Sequence, residues 1–142
     1  IASLVTTIFL FFLFHILYIS PDIVLIGVIV VFFASLYLVN IYIKNIDDKD
    51  PKEIVIDEFI GQSIPICLYE ISHEETKEIS EVLTFYFIMF ILFRIFDIWK
   101  PFPINILEEK FEGGFGIMID DIGAALYAYI IFLLIYYLPV LI

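Results

Sequence analysis

Seven charged side chains stand inside or at the ends of apolar stretches of this sequence, at three separate places. They are Asp57 and Glu58 at the first place, Arg94, Asp97 and Lys100 at the second, and Asp120 and Asp121 at the third. Ionised groups in apolar surroundings are costly unless they pair, bind an ion or line a pathway. Carboxylate oxygens suit Mg²⁺, and guanidinium and ammonium groups bind phosphate oxygens. The three places together therefore predict metal-assisted chemistry on a phosphate group.

Each place is expected to contribute one ligand to the Mg²⁺ ion. The predicted metal ligands are Asp57, Asp97 and one member of the last acidic pair, for which we choose Asp120 over Asp121. Adjacent side chains on a helix point about 100° apart, so the second member of each acidic pair would orient or cap. All five acids are candidate catalytic residues, and Arg94 and Lys100 are candidate phosphate-binding residues. A purely structural ion-pair network is less favoured, because five acids beside two bases leave negative charge that a cation would relieve.

Composition identifies the chain as a membrane protein. Of its 142 residues 63% are hydrophobic, and the mean hydropathy is +1.06, which exceeds what a soluble core can absorb. Eighteen acids against seven bases give a net charge of −11, which repels nucleic acid. The single cysteine, Cys67, excludes an internal disulfide and has the apolar neighbours of an inert buried thiol.

The apolar segments predict an all-α fold, a multi-pass membrane bundle of about five helices in a single domain over residues 1–142. One of the five is short or bent: it follows an Asp50-Pro51 cap, and at about 1.5 Å per residue it reaches roughly 27 Å, which is marginal for a crossing. The other interruptions are the break at residues 20–22, a polar loop at 73–81, and a short acidic connection at 108–112. The predicted helices are 1–19, 23–43, 54–71, 82–99 and 117–138.

The direction in which each predicted helix crosses the membrane is a test of the five-helix arrangement. If all five helices cross, the three charged places fall at the same side of the membrane. Most basic residues fall on that side too, and only Lys77 lies opposite, so the positive-inside rule makes it cytoplasmic. If the third helix does not cross, we expect a re-entrant helix instead.

Three other features are interpreted as structural rather than chemical. His15 is expected to form a local hydrogen bond or to reach the interface, because no carboxylate stands near it in sequence. The glycines at 113–116 lack the spacing of a nucleotide-binding loop and predict a flexible turn. The small residues at 123–128 predict close packing between helices.

The charged places also carry three motifs in order: DEFIG at 57–61, FRIFDIWKPFP at 93–103 and GGFGIMIDDI at 113–122. Over about residues 50–128 the chain resembles the membrane-bound phosphatidylglycerophosphatase A family. Members of that family usually begin with a Gly/Pro/Thr-containing segment before the first helix, and residues 1–4 resemble its tail. The resemblance thus implies that an N-terminal segment is missing from this sequence.

The resemblance implies Mg²⁺-dependent removal of the terminal phosphate from phosphatidylglycerophosphate, giving phosphatidylglycerol at the bacterial inner membrane. The nucleophile is either water bound to the metal, which we prefer, or an aspartate that forms an acyl phosphate. Two alternatives from other classes remain: an ion- or proton-coupled transporter that uses the same charges, and a membrane scaffold subunit.

Overall fold

The computed structural model describes residues 1–43, 54–73, 78–111 and 113–141, the side chains of 108, 109 and 138–141 excepted. These residues form six α-helices and no strand, so the all-α prediction is confirmed. The helices are α1 (Ala2–His15), α2 (Pro21–Ile43), α3 (Ile56–Ser72), α4 (Ile79–Trp99), α5 (Ile104–Lys110) and α6 (Gly113–Leu141).

Several boundaries differ from the predicted ones. The first helix has 14 residues rather than 19, because the chain leaves the helix after His15 and Tyr18 adopts a positive φ of 53°. The third begins at Ile56, and the predicted Asp50-Pro51 cap lies outside the described residues. The predicted acidic connection at 108–112 begins inside a helix that was not predicted, the short α5, which packs along α6. The predicted stop after Trp99 is confirmed, since Lys100 caps α4 in the left-handed conformation before Pro101.

The glycines at 113–116 form the first turn of α6 rather than a flexible turn. Gly114 lies against α2, where an added Cβ would come within 3.1 Å of Val39 Cγ1. The Gly114 amide donates to Asn40 Oδ1 at 2.9 Å. These glycines therefore serve close helix contact. The small residues further along α6 do the same, as predicted, since Ala124, Ala125 and Ala128 have no exposed surface.

The helices α1 to α4 alternate in direction along the chain, so that α1 and α3 point the same way. Ser3 contacts Glu58, and His15 contacts Glu70, so α1 and α3 run parallel with a constant offset of 55 residues. Contacts of Glu58 with Arg94 and of Glu70 with Tyr86 show that α4 runs antiparallel to α3. The starts of α1, α3 and α6 and the ends of α2 and α4 therefore meet at one end of the bundle, which we call the charged end.

In the described part of the chain, three helices are long and apolar enough to cross a membrane: Pro21–Ile43, Ile79–Trp99 and the Gly113–Tyr137 part of α6. Many large apolar side chains on them are exposed, such as Phe33 at 64% on α2 and Phe87 at 64% on α4. Such surface is suited to lipid contact. The structure thus supports a membrane bundle. With only 17 residues, α3 is not among the three, and its crossing stays a prediction.

The end opposite the charged end has a polar contact that the sequence does not reveal. Tyr86 Oη donates to Glu70 Oε1 at 2.9 Å, and His15 Nε2 lies 3.3 Å from the same oxygen. The carboxylate that stabilises His15 is thus 55 residues away, which corrects the expectation of a local bond. Around it packs the larger core cluster, which includes Leu10, Cys67 and Met89. The burial of Cys67 confirms its interpretation as a buried thiol.

The direction of α3 gives an expected labelling pattern. In a Cys67→Ser background, Ser72→Cys and Asn105→Cys should react with a membrane-impermeant maleimide from opposite faces of sealed vesicles. Ser72 ends α3 away from the charged end, whereas Asn105 lies on α5 near it, and both are exposed. Labelling of both cysteines from the same face would show that α3 does not cross.

Candidate active site

The three charged places of the sequence meet at the charged end. From α4, Arg94 Nη1 lies 3.4 Å from Glu58 Oε1 on α3, and Lys100 Nζ lies 2.6 Å from Asp120 Oδ2 on α6. Contact between α3 and α6 completes the arrangement, because Gly61 packs against Asp121. Residues more than 60 positions apart in the chain thus surround one charged region.

Arg94 sits between two carboxylates. Its Nη1 lies 2.5 Å from Asp97 Oδ2, one helical turn along α4, as well as near Glu58. The i,i+3 spacing places Arg94 and Asp97 on the same helix face, as the sequence predicts. The Arg94 side chain is 30% exposed, so it is only partly covered by its neighbours.

Lys100 reaches Asp120 because of the way in which α4 ends. Its backbone adopts φ 45° and ψ 61°, which closes the helix, and its amide donates to the Phe96 carbonyl at 2.9 Å. The side chain pairs with Asp120 on α6. Both predicted phosphate-binding residues therefore belong to the last two turns of α4, each paired with carboxylates.

Asp121 is the most buried acid of the site, and one of its two side-chain oxygens lacks a hydrogen bond within the described residues. It is 4% exposed, and its Oδ2 has no hydrogen-bond partner among the described residues. The charges that act on it most are those of Asp97, Asp57 and Asp120, all of the same sign. Acids packed this closely repel one another when they are ionised, and a bound cation would relieve that repulsion.

The two adjacent acids on α3, which is not one of the three candidate spans, have pKa values shifted in opposite directions. Burial, more than any other cause, raises the pKa of Asp57 to about 6, and the charge of Asp120 adds to this. Burial acts in the same direction on Glu58, but hydrogen bonds from Ser3 and the charge of Arg94 outweigh it, so the Glu58 pKa is lowered. Two adjacent carboxyls thus have different proton affinities, which suits different roles.

The site lies deeper in the bundle than the sequence suggests. Asp120 is the eighth residue of α6, counting from Gly113, so it lies about 10 Å along the axis from the start of that helix. The predicted helix over 117–138 placed Asp120 in its first turn, whereas α6 begins four residues earlier, at Gly113. Its first two turns extend beyond the site, beside the end of α2 and α5.

The acids do not form a ready metal cage. Within the described ranges, no three His, Cys, Asp or Glu side chains are placed to hold a metal ion together. Asp97 and Asp120 instead pair with Arg94 and Lys100. The assignment of Asp57, Asp97 and Asp120 as metal ligands stays a prediction.

Ser3 contacts the site but was not predicted from the sequence. It is 1% exposed, and its amide and hydroxyl both approach Glu58 Oε2, at 3.2 and 3.1 Å. A serine in the first turn of a helix is a common capping residue, so neither its type nor its position signals a contact with α3.

Comparison with known proteins decides the family. The family model of phosphatidylglycerophosphatase A matches residues 1–136. The chain belongs to the phosphatidylglycerophosphatase A family. Two relatives bear this name: the Haemophilus influenzae protein, 41% identical over 115 residues, and the Escherichia coli protein, 36% identical over 90 residues. The matches cover 78% and 63% of this chain and 65% and 47% of those proteins.

A Bacteroides thetaiotaomicron relative named putative phosphatidylinositol-3-phosphatase is 32% identical over 99 residues, covering 70% of this chain and 57% of that protein. The chain thus spans about half to two thirds of the length of these relatives. No solved structure matches it. As a phosphatidylglycerophosphatase A family member, it carries all three motifs of the resemblance at the charged end, on α3, α4 and α6.

Proposed function

We propose that this protein is a Mg²⁺-dependent lipid phosphatase that hydrolyses phosphatidylglycerophosphate to phosphatidylglycerol and phosphate at the bacterial cytoplasmic membrane. The observation that carries the proposal is the meeting of Arg94 and Lys100 with five carboxylates at one end of an apolar helix bundle. Membership of the family and the names of the Haemophilus and Escherichia relatives support it. The positive-inside rule puts this end on the cytoplasmic side.

A lipid phosphomonoester fits the charge pattern. Its phosphate is a compact anion on an apolar anchor, and the site offers cations beside exposed apolar helices. Arg94 would bind two phosphate oxygens through its planar guanidinium, and Lys100 would contribute a point charge. Both cations already pair with acids, so the phosphate would share them with Asp97 and Asp120 rather than meet isolated charges.

The donor set fits a Mg²⁺ ion in its chemistry. Five carboxylates face each other with two cations among them, and Asp121 Oδ2 is buried and has no hydrogen-bond partner among the described residues. Asp57, Asp97 and Asp120 would hold the ion, with Asp121 beside them. When bound, it would neutralise phosphate oxygens and so stabilise the charge of the transition state.

The chain's own groups supply positioning and proton transfer. Arg94 and Lys100 orient the phosphate so that its ester bond to glycerol faces away from the attacking water. A carboxylate accepts the proton of that water as its oxygen bonds to phosphorus. The bond between phosphorus and the glycerol oxygen breaks, and that oxygen takes a proton from solvent.

Phosphate release from purified protein in mixed micelles tests the proposal. Phosphatidylglycerophosphate should be hydrolysed with Mg²⁺, and EDTA should remove at least about 99% of the rate, with recovery on addition of Mg²⁺. Phosphatidylinositol-3-phosphate and water-soluble glycerol phosphate serve as comparison substrates. Faster hydrolysis of phosphatidylinositol-3-phosphate would contradict the proposed substrate and favour the one in the Bacteroides relative's name. Cation flux in liposomes without phosphate release would favour the transporter.

A further inference from the structure

Ser3 makes two hydrogen bonds to one oxygen of the proposed active site. Its backbone amide and Oγ both donate to Glu58 Oε2, although 55 residues separate the two in the chain. We propose that Ser3 is a positioning residue that holds Glu58, and through Glu58 the phosphate-binding Arg94. This inference rests on the proposed phosphatase function and adds a residue of α1 to it.

The Glu58 carboxylate is held by both the backbone and the side chain of Ser3. The Ser3 amide lies 3.2 Å from Glu58 Oε2 and the Ser3 hydroxyl lies 3.1 Å from the same oxygen. Ser3 is 1% exposed, and hydrogen bonds to a charged acceptor are stronger than those between neutral groups.

Fixing Glu58 restricts Arg94. The second oxygen of Glu58, Oε1, lies 3.4 Å from Arg94 Nη1, and Asp97 Oδ2 approaches the same nitrogen at 2.5 Å. Acids on α3 and α4 thus hold one nitrogen of the guanidinium from two directions. The five N–H donors of arginine lie in one plane, so fixing Nη1 also fixes where the others meet a phosphate oxygen.

The contacts of two buried hydroxyl groups on α1, those of Ser3 and Thr6, separate an effect on the site from an effect on folding. Ser3 is 1% exposed and is a neighbour of Thr6, which is 2% exposed on the same helix. The Thr6 hydroxyl donates to the Ala2 carbonyl at 2.9 Å, within α1. Removal of either hydroxyl removes one partly buried hydrogen bond, but only removal of the Ser3 hydroxyl loosens Glu58. Thr6→Val is therefore a matched control.

The experiment compares Ser3→Ala, Ser3→Thr and Thr6→Val protein in the micelle assay. Ser3→Ala should raise KM for phosphatidylglycerophosphate and the inhibition constant of inorganic phosphate about tenfold, with kcat changed less, since a charge-assisted hydrogen bond is lost. Ser3→Thr, which retains the hydroxyl, should restore most of the affinity. Thr6→Val should stay within about twofold of the unaltered protein.

The same Ser3 substitution in Arg94→Lys protein tests whether Ser3 acts through Arg94. In Arg94→Lys protein the planar fork is gone, so Ser3→Ala should raise the inhibition constant of phosphate by less than about twofold. Equal effects of Ser3→Ala in both backgrounds would overturn the inference, and so would equal effects of Ser3→Ala and Thr6→Val. If Ser3→Ala protein does not fold, Ser3→Cys, with a weaker donor of similar size, replaces it under the same expectations.

Failure of the inference is distinguishable from failure of the function. Absence of phosphate release from the unaltered protein with Mg²⁺ would overturn the proposed function and the inference together. Phosphate release by the unaltered protein, with Ser3→Ala protein matching its KM and its inhibition by phosphate, would overturn the inference alone.

Discussion

Asp121→Asn is expected to lower the rate of phosphate release by about 10³-fold while leaving the protein as stable as before or more stable. The carboxylate is 4% exposed, and its strongest electrostatic neighbours are Asp97, Asp57 and Asp120, all acids. Asparagine keeps the shape but removes one of these repelling charges, so folding should not suffer. Catalysis should suffer, because the negative charge that would attract the metal ion falls. The rate in mixed micelles and the thermal unfolding midpoint are the two measurements.

Asp22→Asn is the matched control for this substitution. Asp22 is an exposed acid in the first turn of α2, at the end of the bundle opposite the charged end. Its replacement should change neither the rate nor the unfolding midpoint appreciably. A fall in stability for Asp121→Asn with activity retained would support the scaffold interpretation, in which the charges only join helices.

Gly61→Ala is expected to reduce both stability and activity, although it adds a single methyl group. The new Cβ would lie 2.8 Å from Phe93 Cε2 and 3.0 Å from Asp121 Cβ. Phe93 has no exposed surface and cannot swing away, so α3 must move from α4 and α6. We expect a loss of about 2 kcal/mol in the free energy of unfolding, as is typical of overpacked cores. Asp57 and Glu58 lie one turn away, and their displacement by about 1 Å would lower the rate about 10²-fold.

The control for the added methyl group is Gly27→Ala. Gly27 lies within α2, and its added Cβ would meet no atom within 4 Å. Alanine favours helix over glycine, so this variant should gain up to about 1 kcal/mol and keep full activity. If Gly61→Ala protein matched Gly27→Ala in rate and unfolding midpoint, the close approach of α3 to α6 would not govern the site.

Local sequence features predicted the helices because their signals are local. Long apolar runs defined α2, α4 and α6, and Pro101 after Lys100 predicted the end of α4. The wrong predictions fall where a short stretch of sequence is compatible with more than one local structure. The glycines at 113–116 have the composition of a turn, yet contact with α2 makes them helical, and α5 is too short for its pattern to stand out.

The sequence by itself determined that this is an apolar, all-α chain with seven charges in family motifs, because composition and motif spacing are properties of the chain alone. Only the tertiary structure decided which side chains of different helices touch: Arg94 with Glu58, Lys100 with Asp120, and Ser3 with Glu58 across 55 residues. It also placed Asp120 and Asp121 two turns inside α6. The physical reason is that side-chain contacts between helices depend on the direction, offset and rotation of the helices, which are set by packing at residues such as Gly61 and Ala125.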